Sequence, residues 1–115
     1  MSDSESEINI FAALNFIRDK APVYAKAKAE RVYLEQYRKS KKALCMREAE
    51  INGHKSAVLQ EREAYADPDY IGLLEGLKAA VETEEKLRWL IVAAEARIEI
   101  WRTLSANQRA EAKNL

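Results

Sequence analysis

The chain has 115 residues, and its 19 Lys and Arg balance its 19 Asp and Glu. This length predicts one domain, and only three Gly and two Pro among many charged and aliphatic residues are typical of long helices. The single cysteine, Cys45, excludes an internal disulfide and indicates a reducing compartment. Since no apolar stretch is long enough to span a bilayer, we expect a cytoplasmic protein without a membrane anchor.

The first predicted element is a short N-terminal helix. Residues 1–7 are polar and acidic, which predicts a flexible start, and Ser4 with Glu7 fits a capping box ahead of an apolar run. Apolar residues at helical spacing predict a helix over residues 8–20. Pro22 predicts that this helix ends, because the residue before a proline disfavours the helical backbone and proline suits the first turn of a new helix.

A long second helix is predicted over residues 22–66. One column of positions, seven residues apart, is apolar or aromatic at six of its seven members, which favours a coiled-coil seam. The column comprises Val23, Glu30, Tyr37, Leu44, Ile51, Val58 and Tyr65. Its companion column is apolar only at the start, so the seam is narrow beyond Leu34: Ala27, Leu34, Lys41, Glu48, Lys55 and Arg62. Asn52-Gly53 is a strong turn signal, but the apolar column keeps its phase across it. We therefore expect a continuous or bent helix, with a break at 52–54 as the alternative.

A third helix is predicted over residues 68–110. Asp67 is a suitable N-cap, and Pro68 suits the first helical position. The strongest periodic pattern in the chain follows, in alternating steps of four and three residues: Leu73, Leu77, Ala80, Glu84, Leu87, Ile91, Ala94, Ile98, Trp101 and Ser105. Glu84 is the one charged member of this seam, and we expect it to pair with a Lys or Arg across the hairpin.

These elements predict an all-α fold. The short connection at Asp67 makes the two long helices antiparallel neighbours, so we expect an elongated helical hairpin with a short N-terminal helix and coiled-coil-like packing. Residues 8–115 would form a single helical domain. The apolar patches on residues 8–20 and 87–101 need covering, which favours a homo-oligomer.

Side chains suited to catalysis or metal binding are few. His54 and Cys45 are the single residues of their types, and they lie nine residues apart. A zinc site needs several closely spaced ligands, and the sequence contains no E-x-x-H motif, no catalytic triad pattern and no phosphate-binding glycine loop. We therefore expect a non-enzymatic protein with no metal, no cofactor and no small-molecule substrate.

The zero net charge hides a strong local asymmetry. Residues 18–47 carry ten basic against three acidic residues, a net charge of +7, while residues 48–99 carry six against twelve, a net charge of −6. Five of the basic residues lie within about 100° of one another on the second helix. This basic stripe comprises Lys28, Arg31, Arg38, Lys39 and Lys42. It could follow a phosphate backbone, contact an acidic protein surface, or be only a solvated face.

The second half of the chain resembles a group of small all-helical proteins of tailed bacteriophages and prophages. The likeness is carried by "RWLIVAAEARIEIWR" at residues 88–102 and "SANQR" at residues 105–109, and it extends to "RKSKKAL" and "QEREAYADPDY". The group has no assigned activity to carry over. The resemblance implies a phage origin and a place among replication and recombination functions, with single-stranded DNA or a DNA-recombination protein as the partner.

Two binding functions and one structural role follow from these patterns. The leading hypothesis is a non-catalytic accessory protein of DNA replication or recombination that acts through the basic stripe, assisted by Arg102 and Arg109. The alternative is an adaptor or inhibitor of a host protein that uses an apolar helix surface. That surface comprises Leu87, Trp89, Ile91, Ile98 and Trp101. A purely structural oligomer is the third possibility.

Overall fold

Three α-helices make up the regular structure of residues 9–114, which are the residues described by the computed structural model. They are α1 (Ile10–Ile51), α2 (Ala57–Ala66) and α3 (Pro68–Asn114). The prediction of an all-α fold with two long helices is confirmed. The expected flexible start and the Ser4–Glu7 capping box lie outside the described residues. None of the three helices combines the length and the apolarity that crossing a membrane requires.

Contacts divide the chain into two compact units. The central unit is residues 26–84, and the terminal unit combines residues 9–25 with residues 85–114. In the central unit α1 and α3 run antiparallel, because Arg31 contacts Glu84 while Lys41, further along α1, approaches the earlier residue Asp69. The hairpin prediction is therefore confirmed there, with the short helix α2 between the long ones.

The predicted helix end at Pro22 is wrong, because α1 continues through this proline. Proline in a helix interior removes one backbone hydrogen bond and costs about 3 kcal/mol. Pro22 is exposed, whereas Lys20, Tyr24 and Ala27 on either side of it are half-buried at three- and four-residue steps. Because the packed face keeps its phase across the proline, burial on both sides favours one continuous helix. No separate N-terminal helix forms.

The predicted continuity through Asn52-Gly53 is also wrong. Gly53 has a φ of +104°, its N–H donates to the carbonyl of Glu50 at 3.1 Å, and the N–H of His54 donates to the carbonyl of Ala49 at 3.0 Å. This hydrogen-bond pair is a Schellman motif, which ends a helix at a residue in the left-handed region. The Asn-Gly turn signal therefore decides the local structure.

Side-chain caps begin each helix. The Asn9 carboxamide oxygen accepts from the N–H of Ala12 at 2.9 Å, and the hydroxyl of Ser56 accepts from the N–H of Leu59 at 3.2 Å. Asp67 accepts from the N–H of Asp69 at 2.8 Å, directly before Pro68 begins α3. The predicted start of α3 is confirmed. Each cap satisfies a backbone donor that has no partner within its own helix.

The seam predicted on α3 is confirmed. Nine of its ten positions are buried or half-buried, and the exception is Trp101, which is 39% exposed. Glu84 is 5% exposed and is the buried charged residue of the central unit. Ala94 is fully buried in the terminal unit. Alternating steps of three and four residues hold these positions on one side of the helix, and α3 packs along that side.

The leading column of the seam predicted on the second helix is wrong, whereas the first three members of its companion column, Ala27, Leu34 and Lys41, are half-buried. All the apolar and aromatic members of the leading column are exposed: Val23, Tyr37, Leu44, Ile51, Val58 and Tyr65. Most of the buried and half-buried positions of α1 instead follow a column that mixes small, charged and larger apolar residues: Ala13, Ile17, Lys20, Tyr24, Ala27, Arg31, Leu34, Lys41, Cys45 and Ala49. Glu84 explains which column of α1 packs against α3. Its buried carboxylate needs a cation from the facing helix. The column of α1 that packs supplies Arg31, whereas the predicted column would have supplied Glu30.

The Schellman turn allows a matched pair of glycine substitutions. We expect Gly53→Ala to lower the free energy of unfolding by about 1–2 kcal/mol, because the left-handed backbone crowds a Cβ atom. Gly72→Ala should raise it by about 0.5–1 kcal/mol, because Gly72 is helical and a Cβ added there meets no atom within 4 Å. Urea unfolding followed by circular dichroism measures both. Equal effects of the two substitutions would show that the turn does not hold Gly53 at positive φ.

Candidate functional site

Arg31, predicted as part of the basic stripe, contacts acidic residues of the same chain. Its guanidinium donates from Nε and from Nη2 to the two carboxylate oxygens of Glu84, the second at 2.9 Å, and from Nη1 to Glu35 at 3.0 Å. The hydrogen bonds with Glu84 are the main reason that the pKa of Arg31 is raised above its ordinary value. The predicted pairing of Glu84 across the hairpin is confirmed. Arg31 therefore stabilises the packing of α1 against α3, and few of its hydrogen-bond donors remain for an external phosphate.

Lys42 also contacts side chains of its own unit. Its ammonium donates to the hydroxyl of Tyr65 at 2.8 Å, lies 4.6 Å from the centre of that ring, and approaches Glu61 at 3.7 Å. The hydrogen bond to Tyr65 is the largest cause of the raised pKa of Lys42. Tyr65 in turn packs edge-on against the buried Tyr70. Lys42 thus links α2 to α1.

The other residues of the predicted basic surface are exposed. Lys28, Arg38 and Lys39 point to solvent, and none of them has an acidic partner within 4.0 Å among the described residues. Arg102 pairs with Glu99 at 3.1 Å on an exposed turn of α3, and Arg109 is exposed near its end. Three members of the stripe therefore remain accessible to a partner.

The predicted apolar surface divides into a packed part and an exposed part. Leu87, Ile91 and Ile98 are half-buried on the seam of α3, whereas Trp89 is 58% and Trp101 39% exposed. The predicted grouping of all five residues into one accessible surface is wrong, because a straight helix directs seam residues and Trp89 to different sides. Only the two tryptophans remain accessible.

A second column on α3 adds exposed residues to Trp89, and the sequence analysis did not group them into one surface. Trp89, Leu90, Ala93, Arg97, Ile100 and Leu104 lie within about 100° of one another on the helix, and all six are exposed. We call this set the tryptophan face, with Trp101 at its border. The spacing of the five residues from Leu90 to Leu104, in steps of three and four, was the available signal.

The central unit contains an apolar groove between α1 and α3. Its volume is about 430 Å³, and it is lined by Ala27, Glu30, Leu34, Gly76, Ala79, Ala80 and Thr83. We call it the central groove. Small residues on both helices leave it shallow and open, and Glu30 is its one charged lining residue. The available sequence signal for it was the group of small residues Gly76, Ala79 and Ala80 on α3.

A smaller cavity of about 180 Å³ lies where α1 ends and α3 begins, and Cys45, Glu48, His54, Glu63 and Asp67 contribute to its lining. Burial is the main reason that the pKa of the Cys45 thiol is raised, which lowers the fraction of reactive thiolate. Within residues 9–114, no three His, Cys, Asp or Glu side chains group closely enough to hold a metal ion.

Comparison of the chain with family models, with curated proteins and with solved structures yields no match. The functional reading of the chain therefore depends on its own surfaces.

The ion pair between Arg31 and Glu84 can be tested against its exposed neighbour. We expect Glu84→Gln to lower the Tm by roughly twice as much as Glu35→Gln or more, since it leaves a cation in the seam without its main partner, whereas an i,i+4 pair contributes little. Replacing both partners, Arg31→Met with Glu84→Leu, should recover most of the loss. Thermal unfolding measures all three variants. Equal losses for Glu84→Gln and Glu35→Gln would contradict this role.

Proposed function

We propose that this protein is a non-catalytic adaptor that binds a partner protein through the tryptophan face of α3. The exposure of Trp89 and Trp101 beside Leu90, Ile100 and Leu104 is the observation that supports this function. Soluble monomers seldom expose large aromatic and aliphatic side chains together, and such patches mark sites of interaction. Tryptophan is also among the residues most often found at the energetic centre of a protein interface.

The size of the tryptophan face fits a binding site. At 58% and 39% exposure, and with about 250 Å² for a whole tryptophan side chain, the two tryptophans alone present roughly 240 Å² to water. Leu90, Ile100 and Leu104 are each about half exposed and extend the patch along α3. Together they reach the range of about 300–600 Å² that is typical of the largest patch on a monomer, which is often functional.

The chemistry of the face indicates its partner. Its apolar residues follow a helix at three- and four-residue steps, which matches the apolar stripe of another amphipathic helix. Arg97 is the one charged member, and it is exposed within the patch. A complementary helix would therefore carry apolar residues flanked by an Asp or Glu that reaches the guanidinium. We propose such an acidic amphipathic helix as the partner.

A photo-crosslinking side chain placed at Ala93, in the cell that produces the protein, tests this function. We expect it to capture a distinct protein through an acidic amphipathic segment, because Ala93 lies at the centre of the face. The same side chain at Ala43, exposed on α1, serves as the control. Affinity of the purified segment should fall about 30-fold or more with Trp89→Ala, as for an interface hot spot. Identical captures from both positions, or capture only of a second copy of this chain, would contradict the proposal.

Nucleic-acid contact is a second candidate, supported by the exposure of Lys28, Arg38 and Lys39. These three cations lie along about 16 Å of α1, a length over which a helix can follow several phosphates. The resemblance to phage and prophage proteins supports a proposed role of this candidate in DNA replication or recombination. Lys42 and Arg31 are left out of the proposed contact, because they bind side chains of this chain.

Fluorescence anisotropy with labelled single-stranded DNA tests the second candidate. With three phosphate contacts, we expect log K to fall with log salt at a slope of about −2. Arg38→Glu combined with Lys39→Glu should abolish the binding, whereas Lys55→Glu combined with Arg62→Glu, exposed outside the stripe, should reduce it far less. Absence of binding at low salt, or equal losses for the two pairs, would rule this candidate out.

A further inference from the structure

Two features of the central unit have complementary shapes. The central groove is lined on α3 by Gly76, Ala79 and Ala80, and open space lies above Gly76, since no atom is found within 4 Å of a Cβ added there. Small side chains allow another helix surface to approach closely. The groove is therefore a concave apolar site that a protruding set of large side chains could fill.

Such a protruding set lies on α1 of the same unit. Tyr33 and Tyr37 stack with their ring centres 5.9 Å apart and their planes 5° from parallel, and they are 62% and 37% exposed. Leu44, half exposed, follows on the same side two turns later. We call these three residues the tyrosine ridge. They lie within about 60° of Glu30 on the helix. Because Glu30 lines the groove, the ridge rises on the flank of α1 that borders the groove.

We propose that a second copy of this chain occupies the central groove, with the tyrosine ridge of each copy packed in the groove of the other. A two-fold axis generates this arrangement from one contact, since a surface that carries both a ridge and a groove is complementary to itself. Each ridge extends past the groove along α1, because Leu34 is the last residue of α1 that lines the groove, whereas the ridge continues to Tyr37 and Leu44. Two antiparallel copies of α1 therefore bring each ridge opposite the partner's groove. The product is a four-helix arrangement in which each hairpin contributes two helices.

The chemistry of the contact favours tyrosine in this groove. Glu30 is the charged residue among the groove-lining side chains, so a purely aliphatic ridge would bury its carboxylate without a donor, at considerable cost. Tyrosine fills an apolar groove with its ring and offers a hydroxyl donor at its tip. The hydroxyl of a tyrosine from the second copy can therefore donate to the Glu30 carboxylate while the ring covers Ala79 and Ala80.

The area available also fits a stable dimer. The groove side of the central unit is two helices wide, roughly 20 Å, and about 30 Å long including the ridge, or on the order of 600 Å² per partner. Stable interfaces begin at about this area per partner. The central unit gains buried apolar surface from such a contact, because three of its four fully packed apolar residues are small: Cys45, Ala49 and Ala64, beside Tyr70.

Sedimentation equilibrium of charge-swap variants tests the arrangement. The wild type should have the mass of two chains. Ala79→Glu places a second carboxylate beside Glu30 in both grooves, and this variant alone should sediment as a single chain. Tyr37→Lys removes the ring that fills the groove, but its ammonium can pair with Glu30, so this variant alone should form a weaker dimer than the wild type. A mixture of the two should regain the mass of two chains. In the mixed dimer one contact pairs the new ammonium with the new carboxylate, and the other contact is wild type on both sides.

The outcomes separate this interface from its alternatives. Ala43→Glu makes the same change on an exposed position of α1 outside the groove, and this variant should remain a dimer. Recovery of helical circular dichroism on mixing supports the proposal even where the single variants unfold. A monomeric wild type, a dimeric Ala79→Glu variant, or a mixture that stays monomeric would overturn it. The tryptophan face lies in the terminal unit and the central groove lies in the central unit. Crosslinking from Ala93 therefore tests partner binding whether or not the dimer forms.

Discussion

A helix that packs against one neighbour can bury only one stripe of its surface, and both long helices of this protein carry more apolar surface than one stripe holds. On α1 the packed stripe combines small and charged residues with a few larger apolar ones, which leaves Tyr33, Tyr37 and Leu44 exposed. On α3 the packed stripe takes Leu87 and Ile91, which leaves a second apolar column outside. This surplus of apolar surface is what makes both long helices suited to bind further helices.

The choice of stripe on α1 depends on one buried carboxylate. Glu84 lies within an otherwise apolar seam, and Arg31 neutralises it with two hydrogen bonds from the facing helix. A one-residue shift of register would separate the pair and leave a charge in the seam, which is far less favourable than any gain from burying Tyr37 or Leu44 instead. The ion pair thus fixes both the register of α1 against α3 and the side of α1 that faces solvent.

This arrangement changes how the basic segment of α1 is understood. Counting charges treats all its Lys and Arg as equivalent, but Arg31 and Lys42 are structural, because each holds side chains of another helix. The accessible positive charge is reduced to Lys28, Arg38 and Lys39 in the stripe. The exposed apolar surface, by contrast, is larger than the sequence suggested. The reduced accessible positive charge and the larger exposed apolar surface together support the proposal of protein binding rather than phosphate binding.

The sequence alone determined the helical class, the α3 seam, the start of α3 at Asp67 and Pro68, and the need of Glu84 for a cation. Each depends on residues close together in the chain, where helical period and capping chemistry act directly. It did not determine that α1 continues through Pro22 or which face of α1 packs, and both outcomes required the facing helix. The end of α1 before Gly53 was only the alternative interpretation of the sequence, although the Asn-Gly signal that decides it is local. The apolar column of α1 has more hydrophobic residues, but only the column containing Arg31 satisfies Glu84, and that match exists only once the two helices meet. The tryptophan face and the central groove followed from the same tertiary choice, since a surface becomes a candidate site only after packing has decided what remains exposed.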